Sequence, residues 1–321
     1  MPPLEDKRIL VIGGAGFIGS HVVQELLKER VGEVRVFDNF TRGRLENLEG
    51  SLNDSRCNVF QLGNDITHTD MLDAGMKDMD YVVHLAALWL LHCKDFPRSA
   101  FKTNIEGTFN VLEACVKHKI KKLVFSSSAS VYGDAIETPM TEDHPFNNRT
   151  FYGATKISGE AMCRAFHSRY GLDYVGLRYM NVFGPRQDQK SVYTSVIPIM
   201  LNKIAEGESP VIDGDGTQAF DFIYVEDAAR ANVLALKSDS TDQFYNVGTG
   251  TQTSIRELSN LVLRLKNSDL EVRYQPYSAD DARALVKNRI GCTEKARREL
   301  GFEHRYSLEE GIRKLIEWRG D

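Results

Sequence analysis

The sequence predicts a doubly wound, parallel α/β sheet with a smaller C-terminal α/β substrate lobe. Three observations carry that expectation. Short runs that are apolar on both faces alternate with longer stretches of helical apolar spacing. A glycine-rich turn follows the first run. The rhythm then changes after about Asn181, where Gly184-Pro185 breaks the chain.

The apolar runs are Ile9–Ile12, Val34–Phe37, Val59–Leu62, Tyr81–Leu85, Leu123–Phe125 and Tyr174–Leu177. Short strands without polar alternation, separated by helices, need cover on both faces. Ser20–Glu29 and Thr108–His118 have the helical spacing that supplies this cover. Farther on, Ser195–Ala205 reads as a helix, and Val211-Ile212 as a strand before the turn Asp213–Gly216. Val225–Leu236 reads as a helix, and Phe244–Val247 as a strand returning to the first sheet. Ile255–Leu265, Glu294–Leu300 and Leu308–Trp318 are C-terminal helices. The expected first domain spans residues 1–180 with a return around 225–250; the second lobe takes 181–224 and 251–321.

A hydrophobic share of 42% and a charged share of 26% place the chain among ordinary globular proteins. The net charge of −5 gives no broad attraction to nucleic acid or anionic membrane, so neither is expected as a partner. No window approaches the ~20 apolar residues of a membrane span. Met1–Arg8 mixes acids and bases ahead of Ile9, unlike a signal peptide, and a cytoplasmic location is expected. The cysteines, Cys57, Cys93, Cys115, Cys163 and Cys292, are odd in number and widely spaced, which fits reduced thiols and no metal site.

Ile9–Ile12 leads into Gly13-Gly14-Ala15-Gly16-Phe17-Ile18-Gly19-Ser20, a strand, a G-x-x-G-x-x-G turn and a helix start. Glycines permit the tight turn and let the backbone touch a pyrophosphate, while the helix N-terminus offers N–H groups and partial positive charge. Val34–Phe37 ends in Asp38, where a carboxylate binds ribose hydroxyls and repels a 2′-phosphate. The expected cofactor is therefore NAD in a Rossmann domain. Gly13, Gly16, Phe17, Ile18, Gly19, Asp38 and the adjoining Asn39 are its first candidate contacts. Arg42 lies close by, as a contact or a solvated surface charge. Asp65-Ile66 falls at an adenine edge, and Leu85-Ala86-Ala87 after His84 offers small residues for close backbone approach.

Leu123–Phe125 runs into Ser126-Ser127-Ser128-Ala129-Ser130-Val131-Tyr132-Gly133, and Tyr152-Gly153-Ala154-Thr155-Lys156 follows. Tyr152 and Lys156 share a helix face. The ammonium is expected to lower the phenol pKa from about 10 and make Tyr152 a general base for a sugar hydroxyl. A serine at the strand end shares the developing alkoxide charge.

With H-x-A-A, S-S-S-x-x-V-Y-G, Y-G-x-x-K, R-Y-x-N-V-x-G-P and D-F-x-Y-V-x-D all present, the chain resembles the extended short-chain dehydrogenase/reductases, in particular nucleotide-sugar 4-epimerases of the UDP-glucose 4-epimerase type. That resemblance implies Tyr152 as base, Lys156 as ligand of the nicotinamide ribose, and Ser128 as hydroxyl partner. It puts Ser126 and Tyr179 beside the cofactor and Asn104 at a supporting cofactor-site position. It implies Asn181 against a sugar diphosphate and Val196 near the nucleotide base. Transient oxidation at C4 and re-reduction on the opposite face is the implied reaction, on a nucleotide-diphosphate sugar. It also implies a homodimer joined by a four-helix bundle, with stripes Ile105, Phe109, Leu112, Val116 and Ile157, Ala161, Ala165.

Two segments depart from that pattern. Phe220 stands where the family usually has a diphosphate-binding arginine. Gln218, Arg186, Arg283 or Arg289 are candidates to compensate, or ordinary surface residues. Leu88–Cys93 is an unusually apolar loop whose Trp89 either stacks on a sugar ring or fills core. His92-Cys93 is not read as a catalytic pair, because adjacent residues need not face each other. Ala129 and Ser130 lie where dehydratases of the family carry Asp-Glu, so elimination and decarboxylation are disfavoured. A net dehydrogenase or reductase is the alternative, and a non-catalytic dinucleotide-binding protein a more distant one.

Overall fold

The computed structural model describes residues 4–61, 64–187, 195–277 and 286–320. Seven strands form its central sheet: β1 (Arg8–Ile12), β2 (Glu33–Phe37), β3 (Cys57–Val59), β4 (Tyr81–His84), β5 (Lys122–Ser128), β6 (Tyr174–Tyr179) and β7 (Gln243–Val247). Their order is β7-β6-β5-β4-β1-β2-β3, and every pair is parallel. The main covering helices are α1 (Phe17–Leu27), α2 (Thr69–Met76), α3 (Gly107–Lys117), α4 (Phe151–Tyr170) and α5 (Val225–Lys237).

Alternation explains why β1 is apolar from Ile9 to Ile12. Ile9 and Val11 of β1 enter one core with Val22, Val23 and Leu26 of α1 and Ala228 and Ala231 of α5. Leu10 and Ile12 enter the opposite core with Leu72 of α2, Leu112 of α3 and Cys163 and Phe166 of α4. Successive side chains point to opposite faces, so a strand covered on both sides has no polar face to spare. The expected doubly wound sheet is the observed one. Between β1 and β4 the strand order reverses, which opens a crevice beyond the C-terminal ends of those strands.

A third core gathers Phe183, Ile197, Leu201, Phe222, Tyr224, Ile255, Leu258, Ile312 and Leu315. Its helices are Val196–Ala205, Ile255–Leu265 and Leu308–Arg319. The last two begin with capping boxes, Ser254 with Glu257 and Ser307 with Glu310. Asn181–Phe183 pairs with Phe222–Tyr224, and Ala219–Phe220 lies between Thr253–Ser254 and Asn288–Arg289. Helix Glu294–Leu300 sends Ala296 and Leu300 into the main core, so the C-terminal segment is shared between the two cores.

Three local features differ from the sequence expectation. The segment after Trp89 is helical over Leu90–Asp95. Phe101–Glu106 forms a π-helical turn ahead of α3. Strand β5 continues through Ser126–Ser128 because those serines pair with Leu177–Tyr179. Among the described residues no helix is long and apolar enough to cross a membrane, and no cluster of His, Cys, Asp and Glu could hold a metal ion.

Candidate active site

The glycine turn is packed so closely that side chains have no room. Gly13 has φ +82°, and a Cβ there would lie 2.7 Å from the Ala86 amide nitrogen. A Cβ on Gly19 would overlap the Gly13 carbonyl oxygen. Gly16 caps α1 without a side-chain hydrogen bond, and no acidic residue occupies the first turn, so Phe17 and Ile18 open the helix on backbone alone. Leu85 and Ala86 donate their amides to the Ile12 carbonyl, which holds the exit of β4 against this turn. Ala87 follows them, partly exposed.

Asp38 is buried at the end of β2, with its carboxylate accepting from the Ala15 amide at 2.9 Å and the Phe40 amide at 2.8 Å. Burial pushes its pKa up, opposed by those two amides. Each oxygen keeps a further lone pair for a ribose hydroxyl. Asn39 donates to Asp65 at 2.8 Å and so joins the loops after β2 and β3. Ile66 is buried against Gly107, with its carbonyl held by Asn110. A side-chain-free cradle at a helix N-terminus, flanked by a carboxylate, fits a dinucleotide with an unphosphorylated ribose.

At the end of β5, the Ser128 side chain lies close enough to the Tyr152 phenol to act on it. Tyr152 lies in the first turn of α4, whose N-cap Thr150 accepts from the Gly153 amide. Lys156, one turn on, is buried and donates to the Ser126 carbonyl at 2.6 Å. Its ammonium lies 5.7 Å from the Tyr152 ring centre and 5.3 Å from that of Phe125. The expected lowering of the phenol pKa is corrected here. Desolvation pushes Tyr152 up to about 12, while Ser128 and Arg289 act in the lowering direction. Desolvation lowers Lys156 to about 8. The cause is enclosure: the lysine is committed to a carbonyl, and the phenol has lost water.

Asn104, expected at a supporting position of the cofactor site, makes its hydrogen bonds within the protein. Its carbonyl accepts from the Leu88 amide at 2.7 Å, and its amide donates to the Leu88 carbonyl at 2.8 Å and the Thr155 hydroxyl at 3.1 Å. Thr155 in turn donates to the Tyr152 carbonyl at 2.8 Å. The π-helical turn thus locks the Leu88 loop to the helix turn that carries Tyr152 and Lys156. Thr155 was not read as a site residue, since a threonine inside a helix carries no sequence signal of its partner.

Tyr179 is buried, with its hydroxyl donating to Asn232 of α5 at 2.9 Å. Trp89 lies under the Arg42 guanidinium, 4.8 Å from carbon to ring centre, rather than in core. The Cys93 thiol is buried, donates to the Leu88 carbonyl and is pushed up to about 11 by burial, while His92 packs on Phe96. An un-ionised thiol of that kind is a poor nucleophile.

Asn181, Val196, Phe220, Phe222 and Ile255 line one cavity of about 240 Å³ in the smaller lobe. Asn181 is fixed there by two bonds to the Asp221 carbonyl. Arg289 pairs in register with Phe220, reaches the Gly133 carbonyl and acts electrostatically on Tyr152. Its buried Nε has no hydrogen-bond partner, and desolvation lowers its pKa to about 10, which leaves it cationic at neutral pH. Gln218 donates to the Asp213 carbonyl. Arg186 lies near His21 and Glu226 instead, by the start of the first helix layer. Arg283 lies outside the described residues.

The model of the NAD-dependent epimerase/dehydratase family matches residues 9–248. A putative UDP-glucose 4-epimerase of Methanocaldococcus jannaschii is 36% identical, over 97% of both chains. The UDP-N-acetylglucosamine 4-epimerase of Methanobrevibacter ruminantium, solved with UDP-N-acetylmuramic acid, superposes with a TM-score of 0.91 at 37% identity over 98% of each chain. UDP-glucose 4-epimerase of Thermotoga maritima, solved with UDP-glucose, gives 0.89 at 35% identity, again over 98% of each. A glycine cradle, a buried carboxylate and a Ser-Tyr-Lys cluster at the C-terminal ends of the strands agree with these likenesses, and the chain belongs to the NAD-dependent epimerase/dehydratase family, with NAD as its cofactor.

Proposed function

We propose that the enzyme inverts C4 of a nucleotide-diphosphate sugar, most simply a UDP-sugar. One observation carries this choice within the family. Among the described residues, the ionisable groups acting on the Tyr152 phenol are Arg289 and the Cys93 thiol, with no carboxylate among them. Ala129 and Ser130, the residues after Ser128, are buried and carry no acid. Elimination or decarboxylation needs a second proton donor or acceptor near the sugar, whereas inversion needs one group that gives back the proton it takes.

Gly13, Gly16 and Gly19 admit the pyrophosphate of NAD, Asp38 takes the adenosine ribose, and Lys156 the nicotinamide ribose. When bound, NAD supplies reversible hydride acceptance at the sugar carbon and a positive ring beside the phenol. Tyr152 removes the proton of the 4-hydroxyl, Ser128 holds the same oxygen, and Tyr152 returns the proton after the ketone has presented its other face. Asn104 and Thr155 keep the tyrosine turn in place. Arg289 replaces the grip lost at Phe220, because register sets it beside that residue as a buried cation with an unsatisfied N–H. Asn181 and the cavity at Val196 receive the diphosphate and base.

We further propose a homodimer through α3 and α4. Phe109, Ala161 and Ala165 are exposed there, and Phe109 packs edge-on against Phe166 across the two helices. Small exposed residues and aromatic rings together suit close helix packing.

The test is incubation of the purified enzyme with UDP-, dTDP-, CDP- and GDP-sugars, followed by NMR. The expected result is a C4 epimer without accumulation of NADH. Net NADH formation in step with product would replace epimerisation with dehydrogenation.

A further inference from the structure

We propose that Arg42 and Trp89 form a clasp across the dinucleotide crevice that sets how long NAD stays bound, which presupposes NAD in the cradle described above. Strands β2 and β4 flank β1 on opposite sides. Arg42 follows β2 and Trp89 follows β4, yet the guanidinium lies 4.8 Å from the indole centre. Their contact therefore crosses the end of β1, where the glycine turn begins.

Each half of the clasp is anchored by bonds that do not involve the pair itself. On the β2 side, the Arg44 amide and the Asn47 side chain both donate to the Ala15 carbonyl, at 3.1 and 2.9 Å. On the β4 side, Leu85 and Ala86 are bonded to Ile12, and Asn104 holds both backbone groups of Leu88. The cation–π contact is partly exposed and brings the tips of two anchored arms together. The joined tips lie beyond the end of β1, as the glycine turn does, and so beside the way in and out of the cradle. A reaction that oxidises and re-reduces within one turnover needs its cofactor to persist through many cycles, and slow release serves that need.

The test measures NAD dissociation from purified full-length holoprotein by chase with excess labelled NAD. Trp89→Leu and Arg42→Met are each expected to release NAD about five- to tenfold faster than wild type. The double variant is expected to fall short of the product of the two singles, since either substitution alone removes the contact between them. Arg42→Lys, which keeps a cation over the ring, is expected to restore part of the slow release. Wild-type protein that takes up no NAD would overturn the cofactor reading and the clasp together. Variants that release NAD at the wild-type rate, or a double variant whose effect is the product of the singles, would overturn the clasp alone.

Discussion

Replacing Lys156 by methionine tests how the active-site phenol becomes a base. A phenol with a pKa of about 12 is ionised to roughly one part in 10⁵ at pH 7. Bringing it to about 7 requires about 7 kcal/mol of phenolate stabilisation, at 1.36 kcal/mol per unit. Lys156 stands 5.7 Å from the Tyr152 ring centre. One unit charge at that distance, with an effective dielectric of about 20, contributes about 3 kcal/mol, or roughly two pKa units. The rest falls to the positive cofactor ring, because Ser128 and Arg289 already act in the value of about 12. Lys156→Met should therefore move the acidic limb of the pH profile of kcat/KM upward by about two units, with a loss of about a hundredfold at neutral pH. The deficit should shrink as pH rises, because the phenolate is the active form. In wild type the lysine itself loses charge above about 8, so the gain with pH should flatten there. C4 inversion is followed by NMR from pH 6 to 10, with rates normalised to bound NAD. An equal loss at every pH, with the limb unmoved, would refute the electrostatic role and leave Lys156 a ligand of the cofactor only.

Three other outcomes follow from the same geometry. Tyr152→Phe should lower turnover by about 10²–10⁴-fold while retaining NAD, as read by NMR and by absorbance of cofactor released on denaturation. Arg289→Met should weaken UDP-sugar binding by about ten- to a hundredfold in calorimetry, because the cation next to Phe220 is lost, and should leave NAD content unchanged. His21 and His84 are buried and held near pKa 4 and 3, with desolvation the largest cause in each. The unfolded chain takes up these protons near 6.5 and the folded chain only below about 4, so stability falls as pH drops through that window. Urea denaturation at pH 7 and pH 5 should differ by about 2 kcal/mol per histidine, and His21→Gln should remove about half of the difference.

The fold was legible because its cause is local and repeated. Ile9–Ile12 and Tyr174–Leu177 have no polar face, as strands covered on both sides require. The glycine turn was legible for the same reason: a Cβ at Gly13 would lie 2.7 Å from the Ala86 nitrogen, which excludes any side chain there, and sequence records that exclusion directly. Tyr152 and Lys156 could be paired on paper because helical spacing alone puts them on one face.

Contacts between distant segments were decided only by the tertiary structure. Nothing in Leu88–Cys93 announces that Asn104 will clamp Leu88, or that Trp89 will meet a guanidinium from the far side of β1. The pKa of Tyr152 was misjudged for the same physical reason. Sequence reveals which charge stands four residues away, but desolvation depends on how many other segments close over the phenol, and that enclosure exists only once the chain has folded.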